Sequence, residues 1–326
     1  MASIVVDIGG TNLRVGCFAD GALHSVRRMP VENALRHPDV PSETLYNRFV
    51  DQLQAALAPL LDAYPAAPIG LSFPGPIDAE GRVAQAPTLW REALRDVPLH
   101  ADLSARLRRP LWLLNDISAA VWRYAEAGGP DFCLITISSG IGNKVYRAGQ
   151  ILLSEEGQGG EIGHCQVVAD GPLALPCDCG GRGHLAALAS GRGTIQLARA
   201  LAGEALAARS PLAASPPGDW TTERFVAALH AGDPFARHVL RASQTHLVAA
   251  MRQLYHWIGI RRFIFIGGFA TAIGAPYLAG LNALLAEERW FGLPPEAMTT
   301  LCQLGAPDDD HSLIGMGRYI AAQGGR

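Results

Sequence analysis

The stretch IVVDIGGTNLRVGC, residues 4–17, decides the fold. A β-branched run ends at Gly9 and Gly10, and beyond the glycines apolar residues recur at every second position from Leu13 to Cys17. A period of two is typical of a strand. The stretch therefore predicts a strand, a glycine turn and a second strand, whereas Walker and Rossmann phosphate loops run from a strand into a helix.

A second stretch of the same kind begins about 130 residues later. The apolar run Phe132–Ile137 leads into a glycine-bearing turn at 138–143, and residues 145–146 and 150–152 have strand character. Two copies of strand, glycine turn and strand predict a duplicated α/β fold. We expect one glycine turn from each half to face a shared cleft.

The two glycine turns are candidates for binding the phosphates of a nucleotide. Backbone N–H groups in such turns can cradle an anion, and glycine permits its close approach. Asp7, at the end of the first strand, is a candidate for holding Mg²⁺ through water. Lys144, the only lysine, has two interpretations: an accident of a chain that otherwise uses arginine, or a point charge near the phosphates.

Glycine and acidic residues follow two further predicted strands, at 68–73 and 111–114. Gly75 lies in the loop Pro-Gly-Pro, which is either a plain turn or part of a ligand crevice. Asp116 precedes a predicted helix at 117–122, whose N-terminal end favours a carboxylate. It is our candidate for the general base that accepts a proton from an attacking hydroxyl, and Asn115 offers an amide to orient a sugar. The alternative is an ordinary helix cap.

The segment 160–191 contains four metal-ligand side chains at the spacing H-x12-C-x-C-x4-H: His164, Cys177, Cys179 and His184. Thiolate and imidazole are ligands that zinc prefers, and four protein ligands are typical of a structural site. Glu161 precedes His164 by three residues. We therefore predict a zinc ion that fixes a substrate-binding wall. The alternative is two loop thiols and two surface histidines.

Composition limits the remaining possibilities. The formal net charge of −3 gives no basic surplus for nucleic acid or anionic membrane. Six cysteines in 326 residues do not make a disulfide framework, and Cys17, Cys133, Cys165 and Cys302 are predicted core residues. The absence of a leader-like or membrane-spanning apolar run predicts a cytoplasmic protein.

The later elements are predicted from helical periodicity and from turn residues. Helices are expected at 47–64, 193–208, 222–231, 234–257 and 312–322, with a strand at 263–266 that ends in Gly267 and Gly268. The Pro- and Ala-rich segment 210–219 is predicted to be a mobile surface loop.

Seven motifs together resemble the bacterial ROK family of sugar kinases, sugar-sensing repressors and uncharacterised proteins. In order they are VVDIGGTNLRVG, LSFPGPID, LLNDISAA, SSGIGNKV, GEIGH, CDCGGRGH and FIFIGG, and the resemblance extends from residue 4 to about 317. It implies a duplicated ribonuclease-H-like, actin- or hexokinase-type fold with two domains and an interdomain cleft. It divides the chain into residues 1–117, residues 118–311, and a C-terminal helix at 312–326 that returns to the first domain.

The resemblance also implies an ATP-dependent kinase that phosphorylates the primary hydroxyl of a hexose-like substrate, with Mg²⁺, structural zinc and a homodimeric assembly. The implied base is Asp116. The implied substrate ligands are Gly75, Asn115, Asp116, Glu161 and His164. The implied ATP-binding residues are Gly9, Gly10, Thr11, Asn12, Ser139, Gly140, Gly142, Gly267 and Gly268.

Four departures from the family pattern bear on the substrate. His184 replaces the family's third cysteine, Thr88 replaces an asparagine, and the second phosphate turn reads Ser138-Ser139-Gly140, with Asn143-Lys144 where glycines are common. The fourth departure is Ala186, which stands where the family has a glutamate that contacts hydroxyls at the anomeric end of the sugar. Loss of that acceptor should weaken binding of glucose by about 1–3 kcal/mol. The sequence therefore favours an amino sugar, a substituted sugar or a carbocyclic sugar mimic.

Two other functions remain open at this point. A sugar-sensing repressor would need a DNA-binding helix-turn-helix, and only three residues precede the first predicted strand. A degenerate kinase would bind sugar or nucleotide without turnover, which the altered second turn and Ala186 would allow.

Overall fold

The structure, a computed structural model, describes residues 2–324. It consists of two compact units. Unit 1 comprises Met1–Gly129, Ile151–Gly159 and Asp310–Arg326, and unit 2 comprises Pro130–Gln150 and Gly160–Asp309. The sequence-based division fell at 117 and 311. Unit 1 extends further because helical residues 116–121 pack against the C-terminal helix.

Strands and helices are interspersed along the chain. The first part contains β1 (Ser3–Ile8), β2 (Asn12–Ala19), β3 (Ala22–Pro30), α1 (Ser42–Ala63), β4 (Ile69–Phe73), β5 (Val83–Ala86), α2 (Pro87–Trp90), β6 (Arg91–Val97), α3 (Leu99–Leu107), β7 (Leu111–Asn115) and α4 (Asp116–Val121). The second part contains β8 (Phe132–Ile137), β9 (Ile141–Arg147), β10 (Gln150–Ile151), α5 (Leu185–Ala189), α6 (Gly191–Ala200), α7 (Thr222–His230), α8 (Pro234–Ile258), β11 (Phe263–Ile266), α9 (Gly268–Ile273), α10 (Ala275–Glu287), α11 (Pro295–Met298), β12 (Cys302–Leu304) and α12 (His311–Gln323).

Unit 1 is built on a five-stranded sheet in the order β3-β2-β1-β4-β7. The central strand β1 pairs antiparallel with β2 and parallel with β4, and β4 pairs parallel with β7. This register places Asp7 opposite Arg14 on one side and Ser72 on the other. The strand, glycine turn and strand predicted at residues 4–17 are confirmed.

Unit 2 repeats this arrangement in the order β10-β9-β8-β11-β12. Strand β8 pairs antiparallel with β9 and parallel with β11, which pairs parallel with β12. Each unit therefore has a hairpin followed by parallel strands, and the predicted duplicated α/β fold is confirmed.

The core of unit 1 lies between its sheet and helix α1. Phe49, Leu53 and Leu57 recur on one face of α1 and are buried. Phe49 packs edge-on against Phe73 of β4, with 6.4 Å between the ring centroids, and also contacts Trp90. Burial of each such side chain stabilises the fold by about 1.5–3 kcal/mol.

Two local predictions were wrong, and a third was incomplete. The helix predicted at 193–208 ends at Ala200, and single 3₁₀ turns follow it. The segment 210–219 is not merely a surface loop, since Leu212 is buried and its carbonyl accepts a hydrogen bond from Trp220 Nε1 at 2.8 Å. Cys165, predicted to be buried, is exposed, because it directly follows the short turn that carries His164.

The hairpin of β5 and β6 was not predicted. The alternation of buried and exposed residues that marks a strand is interrupted here by the short helix α2 and by a register shift between Gln85 and Ala86. Within residues 2–324, no helix has the length and apolar character that crossing a bilayer requires.

Helix α12 contacts α4 at Gly315, where a Cβ would lie 1.8 Å from the carbonyl oxygen of Ala119. We predict that Gly315→Ala destabilises the protein by about 1–3 kcal/mol through overpacking. Helix propensity alone would give the opposite sign, a gain of about 0.5–1 kcal/mol. Urea unfolding followed by circular dichroism measures the change. The control Ala321→Ser, on the exposed side of α12, should stay within about 0.5 kcal/mol. An unchanged or raised stability for Gly315→Ala would contradict this packing.

Candidate active site

Unit 1 brings together three of the predicted substrate residues, Gly75, Asn115 and Asp116. Strands β4 and β7 are parallel and in register, with Phe73 opposite Asn115, so the loops that follow them are neighbours. The amide nitrogen of Asn115 donates to the carbonyl oxygen of Gly75 at 3.1 Å and to Asp116 Oδ1 at 2.9 Å. The predicted base is thus oriented by the residue beside it.

Asn115 is also the N-cap of helix α4. Its Oδ1 accepts hydrogen bonds from the backbone N–H groups of Ile117 and Ser118, at 3.1 and 3.2 Å. Asp116 Oδ1 accepts a further bond from Ile117 N at 2.8 Å. Hydrogen bonds from donors favour the ionised carboxylate, the form that a general base needs.

The glycine at position 75 is required by its surroundings. Its φ is +151°, and a Cβ would lie 3.0 Å from the carbonyl oxygen of Gln85 in β5. A side chain at this position would strain the backbone and push against the hairpin. The loop can therefore approach β5 and present its carbonyl to Asn115.

The first glycine turn is anchored by its carbonyl groups. Gly9 N donates to Asn12 O at 2.8 Å, Asn33 Nδ2 donates to Gly10 O at 2.7 Å, and Val31 N donates to Thr11 O at 3.1 Å. The amide of Gly9 is thus used inside the turn. Of the predicted phosphate donors, this leaves the amides that follow Gly9 as the groups suited to an anion.

Asp7 accepts four hydrogen bonds within unit 1. Arg14 donates to Oδ2 from Nε and Nη2, at 3.1 and 2.8 Å. The hydroxyl groups of Ser72 and Ser312 donate to Oδ1, at 2.5 and 2.7 Å. A carboxylate offers about four lone-pair sites. A magnesium-bound water would therefore have to displace a donor that is present in this structure.

The second glycine turn borders a cavity in unit 2 of about 590 Å³. Ser139 and Gly268, both predicted to bind ATP, line this cavity, together with Ser138. The volume lies within the range of about 300–1,000 Å³ that is usual for small-molecule sites. The structure thus brings the second turn and the second predicted glycine loop to one cavity.

The other predicted glycines of unit 2 do not line the cavity. Gly142 lies in β9, beyond the turn. Gly267 has a φ of +97°, and a Cβ there would lie 2.6 Å from the carbonyl oxygen of Ile137, so it shapes the backbone that leads to Gly268. Gly140 accepts a hydrogen bond from Ser138 N at 3.0 Å and closes the turn.

Sequence reasoning missed three charged or titratable residues that line the cavity, Arg192, Glu223 and His230. Arg192 Nε donates to the carbonyl oxygen of Ser139 at 3.1 Å, and Gly191 N donates to Ser138 O at 2.7 Å. The N-terminus of helix α6 therefore holds the second turn. Arginine between two glycines at a helix start was the available sequence signal.

Glu161 and His164 lie in the loop that begins unit 2's second segment. His164 N donates to Glu161 O at 3.0 Å within a single 3₁₀ turn, Ile162–His164. Lys144 Nζ lies 3.9 Å from Glu161 Oε1. The lysine for which a role near phosphate was one of two interpretations is thus paired with a predicted substrate ligand.

The four predicted metal ligands come together. One ligand atom from each of His164, Cys177, Cys179 and His184 lies within 4.8 Å of all the others. Cys177 Sγ is 3.8 Å from His164 Nδ1, and Cys179 Sγ is 3.2 Å from His184 Nδ1. A tetrahedral zinc ion with bonds of about 2.0–2.3 Å holds its ligand atoms roughly 3.3–3.8 Å apart. The donor set therefore fits zinc with a small contraction.

Glycines permit the tight loop around this cluster. Gly180 and Gly183 have φ values of +88° and +65°. A Cβ at Gly181 would lie 2.3 Å from His184 Cε1, and one at Gly183 would lie 1.8 Å from the carbonyl oxygen of Val168. Any side chain at these two positions would displace the histidine or the loop.

Comparison with known proteins agrees with this fold. The sequence profile of the ROK family matches residues 3–290. The C(7)-cyclitol 7-kinase of Streptomyces hygroscopicus subsp. jinggangensis is 43% identical over 330 residues, which cover 98% of this chain and 94% of the relative. The 2-epi-5-epi-valiolone 7-kinase of an Actinoplanes species is 32% identical over 343 residues, or 98% of this chain and 93% of the relative.

A solved structure agrees in fold. The ROK family glucokinase of Streptomyces griseus, in complex with glucose and AMPPNP, has a TM-score of 0.72 at 23% identity and covers 99% of this chain and 100% of its own. Fold and relatives together define a sugar kinase of the two-domain, actin-like class. The chain belongs to the ROK family. The predicted family, fold class and activity, a kinase for a hexose-like substrate, are confirmed.

The cap of helix α4 gives a test of how the predicted base is held. We predict that Asn115→Ala lowers the free energy of unfolding by about 0.5–2 kcal/mol, because the cap is lost. Asn115→Ser loses the amide donor to Gly75. Because it keeps a capping oxygen, most of this stability should return. Guanidinium unfolding compares the two variants. Equal losses in both would show that the cap does not stabilise α4.

Proposed function

We propose that this protein transfers the γ-phosphoryl group of ATP to the exocyclic primary hydroxyl of a C7-cyclitol, a carbocyclic sugar mimic. The observation that carries this proposal is 43% identity to a C(7)-cyclitol 7-kinase along nearly the whole of both chains. A second relative, at 32% identity, is a 2-epi-5-epi-valiolone 7-kinase, also named for position 7.

The absence of a carboxylate at position 186 supports the same substrate class. Ala186 lies in helix α5, directly after the predicted zinc ligands, and packs against the apolar core of unit 2. A cyclitol has carbon in place of the ring oxygen of a sugar and therefore no anomeric centre. A cyclitol whose corresponding carbon bears no hydroxyl group has no donor for the family's glutamate and loses nothing where that residue is missing, whereas glucose loses about 1–3 kcal/mol of binding.

The proposed residues have distinct roles in the reaction. The primary hydroxyl oxygen attacks the γ-phosphorus, and the bond from that phosphorus to the β–γ bridging oxygen breaks, so that its electron pair leaves with ADP. Asp116 accepts the hydroxyl proton. Asn115 orients Asp116 and, with Gly75 and Glu161, the substrate. No covalent intermediate with the protein is needed.

The 590 Å³ cavity of unit 2 is the proposed nucleotide site. Ser139 and Gly268 line it, and the amides of Gly10, Thr11 and Asn12 in unit 1 are the proposed donors to phosphate. Magnesium bound together with ATP would neutralise charge on its phosphates. Because the four acceptor sites of Asp7 are filled, no step is assigned to that residue.

Structural zinc is the second part of the proposal. The ion would be held by His164, Cys177, Cys179 and His184, and its charge would deprotonate both thiols. Burial raises the pKa of the Cys177 thiol. A bound cation would offset this effect, because it stabilises the thiolate. Binding would fix His164 and, through the 3₁₀ turn, the position of Glu161. A homodimer and a cytoplasmic location complete the proposal.

The substrate assignment is tested by coupled measurement of ADP with a C7-cyclitol and with glucose. We predict a kcat/KM at least about five-fold higher for the cyclitol, since about 1–3 kcal/mol of glucose binding is lost. Asp116→Asn should lower kcat by about 10²–10⁴-fold while calorimetry shows substrate affinity within a factor of three. Preference for glucose would contradict the substrate, and near-normal turnover of Asp116→Asn would contradict the base.

The zinc proposal is tested by elemental analysis of the purified protein. We predict about one zinc per chain, loss of most of it in Cys177→Ser, and a rise in KM for the cyclitol as the wall loosens. Cys165→Ser is the matched control, since Cys165 is exposed and beside His164 but outside the donor set. A zinc-free protein with full activity would contradict the proposal.

A further inference from the structure

Lys144 is an unusual residue in this chain. It is the only lysine, it is 5% exposed, and it lies in β9 opposite Leu134 of β8. An ammonium group so deeply buried is strongly disfavoured unless a carboxylate accompanies it. Glu161 supplies that carboxylate, with Oε1 at 3.9 Å and with 58% of its own side chain exposed.

The loop that carries Glu161 is held to β9 on both sides of that glutamate, in each case through Asn143. Asn143 N donates to Gly160 O at 3.3 Å, and Ile162 N donates to Asn143 Oδ1 at 3.0 Å. The amide nitrogen of Asn143 contacts Cys133 Sγ at 3.5 Å. Burial raises the pKa of Cys133 to about 12, so this sulfur is a neutral thiol that anchors the amide.

Gly160 makes room for the lysine. Its φ is +75°, and a Cβ there would lie 2.1 Å from the carbonyl oxygen of Asn143 and 3.0 Å from Cδ of Lys144. The aliphatic stem of the lysine therefore runs along a backbone that has no side chain. The residues that stand where the family has glycines, Asn143 and Lys144, are the ones that fix Glu161.

The charges of Glu161, of Lys144 and of the predicted zinc site cancel. Glu161 carries −1 and Lys144 carries +1. Ala186 carries none. If zinc is bound as proposed, its two positive charges are balanced by the thiolates of Cys177 and Cys179, with both histidines neutral. Among the residues named, no net negative charge remains to attract a cation.

We propose that Lys144 is a specificity-determining residue that neutralises and orients Glu161, so that the enzyme selects a neutral polyhydroxylated cyclitol over its ammonium-bearing counterpart. The inference rests on the proposed function, in which Glu161 binds the substrate. A hydroxyl group can donate to Glu161 while Lys144 holds the carboxylate from behind. A substrate ammonium would compete with Lys144 for the same carboxylate and would be repelled by it.

The decisive comparison uses the wild-type enzyme and two C7-cyclitols that differ only in a hydroxyl or an amino group on the ring. At pH 7 we expect kcat/KM to be at least ten-fold higher for the neutral compound, mainly through KM. As the pH rises through the pKa of the substrate amine, the ratio should fall, because the amine loses its charge. Calorimetric binding without nucleotide should show the same preference.

Lys144→Met should reduce this preference at least five-fold, chiefly by lowering KM for the ammonium-bearing substrate, while Lys144→Arg should retain most of it. Arg147→Met is the matched control, since Arg147 is in the same strand and pairs with Asp131 instead.

Equal wild-type activity on the two compounds would overturn the inference and leave the proposed function intact, and so would a Lys144→Met variant with an unchanged ratio. If Lys144→Met fails to fold, the wild-type ratio and its pH dependence decide. Turnover of neither cyclitol would instead overturn the proposed function.

Discussion

The ion pair between Asp7 and Arg14 is the interaction on which unit 1 depends. Both side chains are largely buried, and their closest atoms are 2.8 Å apart. Arg14 also pairs with Asp310, 3.0 Å away, which precedes helix α12. Loss of one partner of a buried pair typically costs about 3–5 kcal/mol. The pair ties the first glycine hairpin to the last helix, which lies nearly 300 residues further along the chain.

Unit 2 stabilises its corresponding hairpin, β8 and β9, by different interactions. Thr136 and Gly142 face each other in β8 and β9 where unit 1 has its charged pair. No side-chain charge is available at this position, and the second turn is held from outside, by the backbone N–H of Gly191 and the guanidinium of Arg192. One half therefore stabilises its turn through the sheet, and the other through a helix N-terminus beside the cavity.

The sequence predicted those parts of the fold and site that depend on neighbouring residues. The period of two around Gly9, the asparagine and aspartate before α4, and four ligands within one loop are local patterns with local physical causes. Features that depend on residues far apart in the sequence could not be predicted. Examples are the hydrogen bond from Ser312 of α12 to Asp7 and the position of Arg192 in the cavity of unit 2. Lys144 follows a glycine turn, which suggested a phosphate, yet its strand directs it toward Glu161. The face of a sheet to which a side chain points depends on the register of its strand. A single sequence specifies register weakly when a turn can begin one residue earlier or later.

The proposed reaction is phosphoryl transfer to an exocyclic primary alcohol of a carbocycle. Phosphorus-coupled proton NMR of the product made from ATP and a C7-cyclitol tests this directly. We predict one phosphomonoester, with phosphorus coupled to the two protons of the exocyclic methylene at carbon 7. Phosphorus coupled to a ring methine, or no phosphorylated cyclitol, would contradict the account.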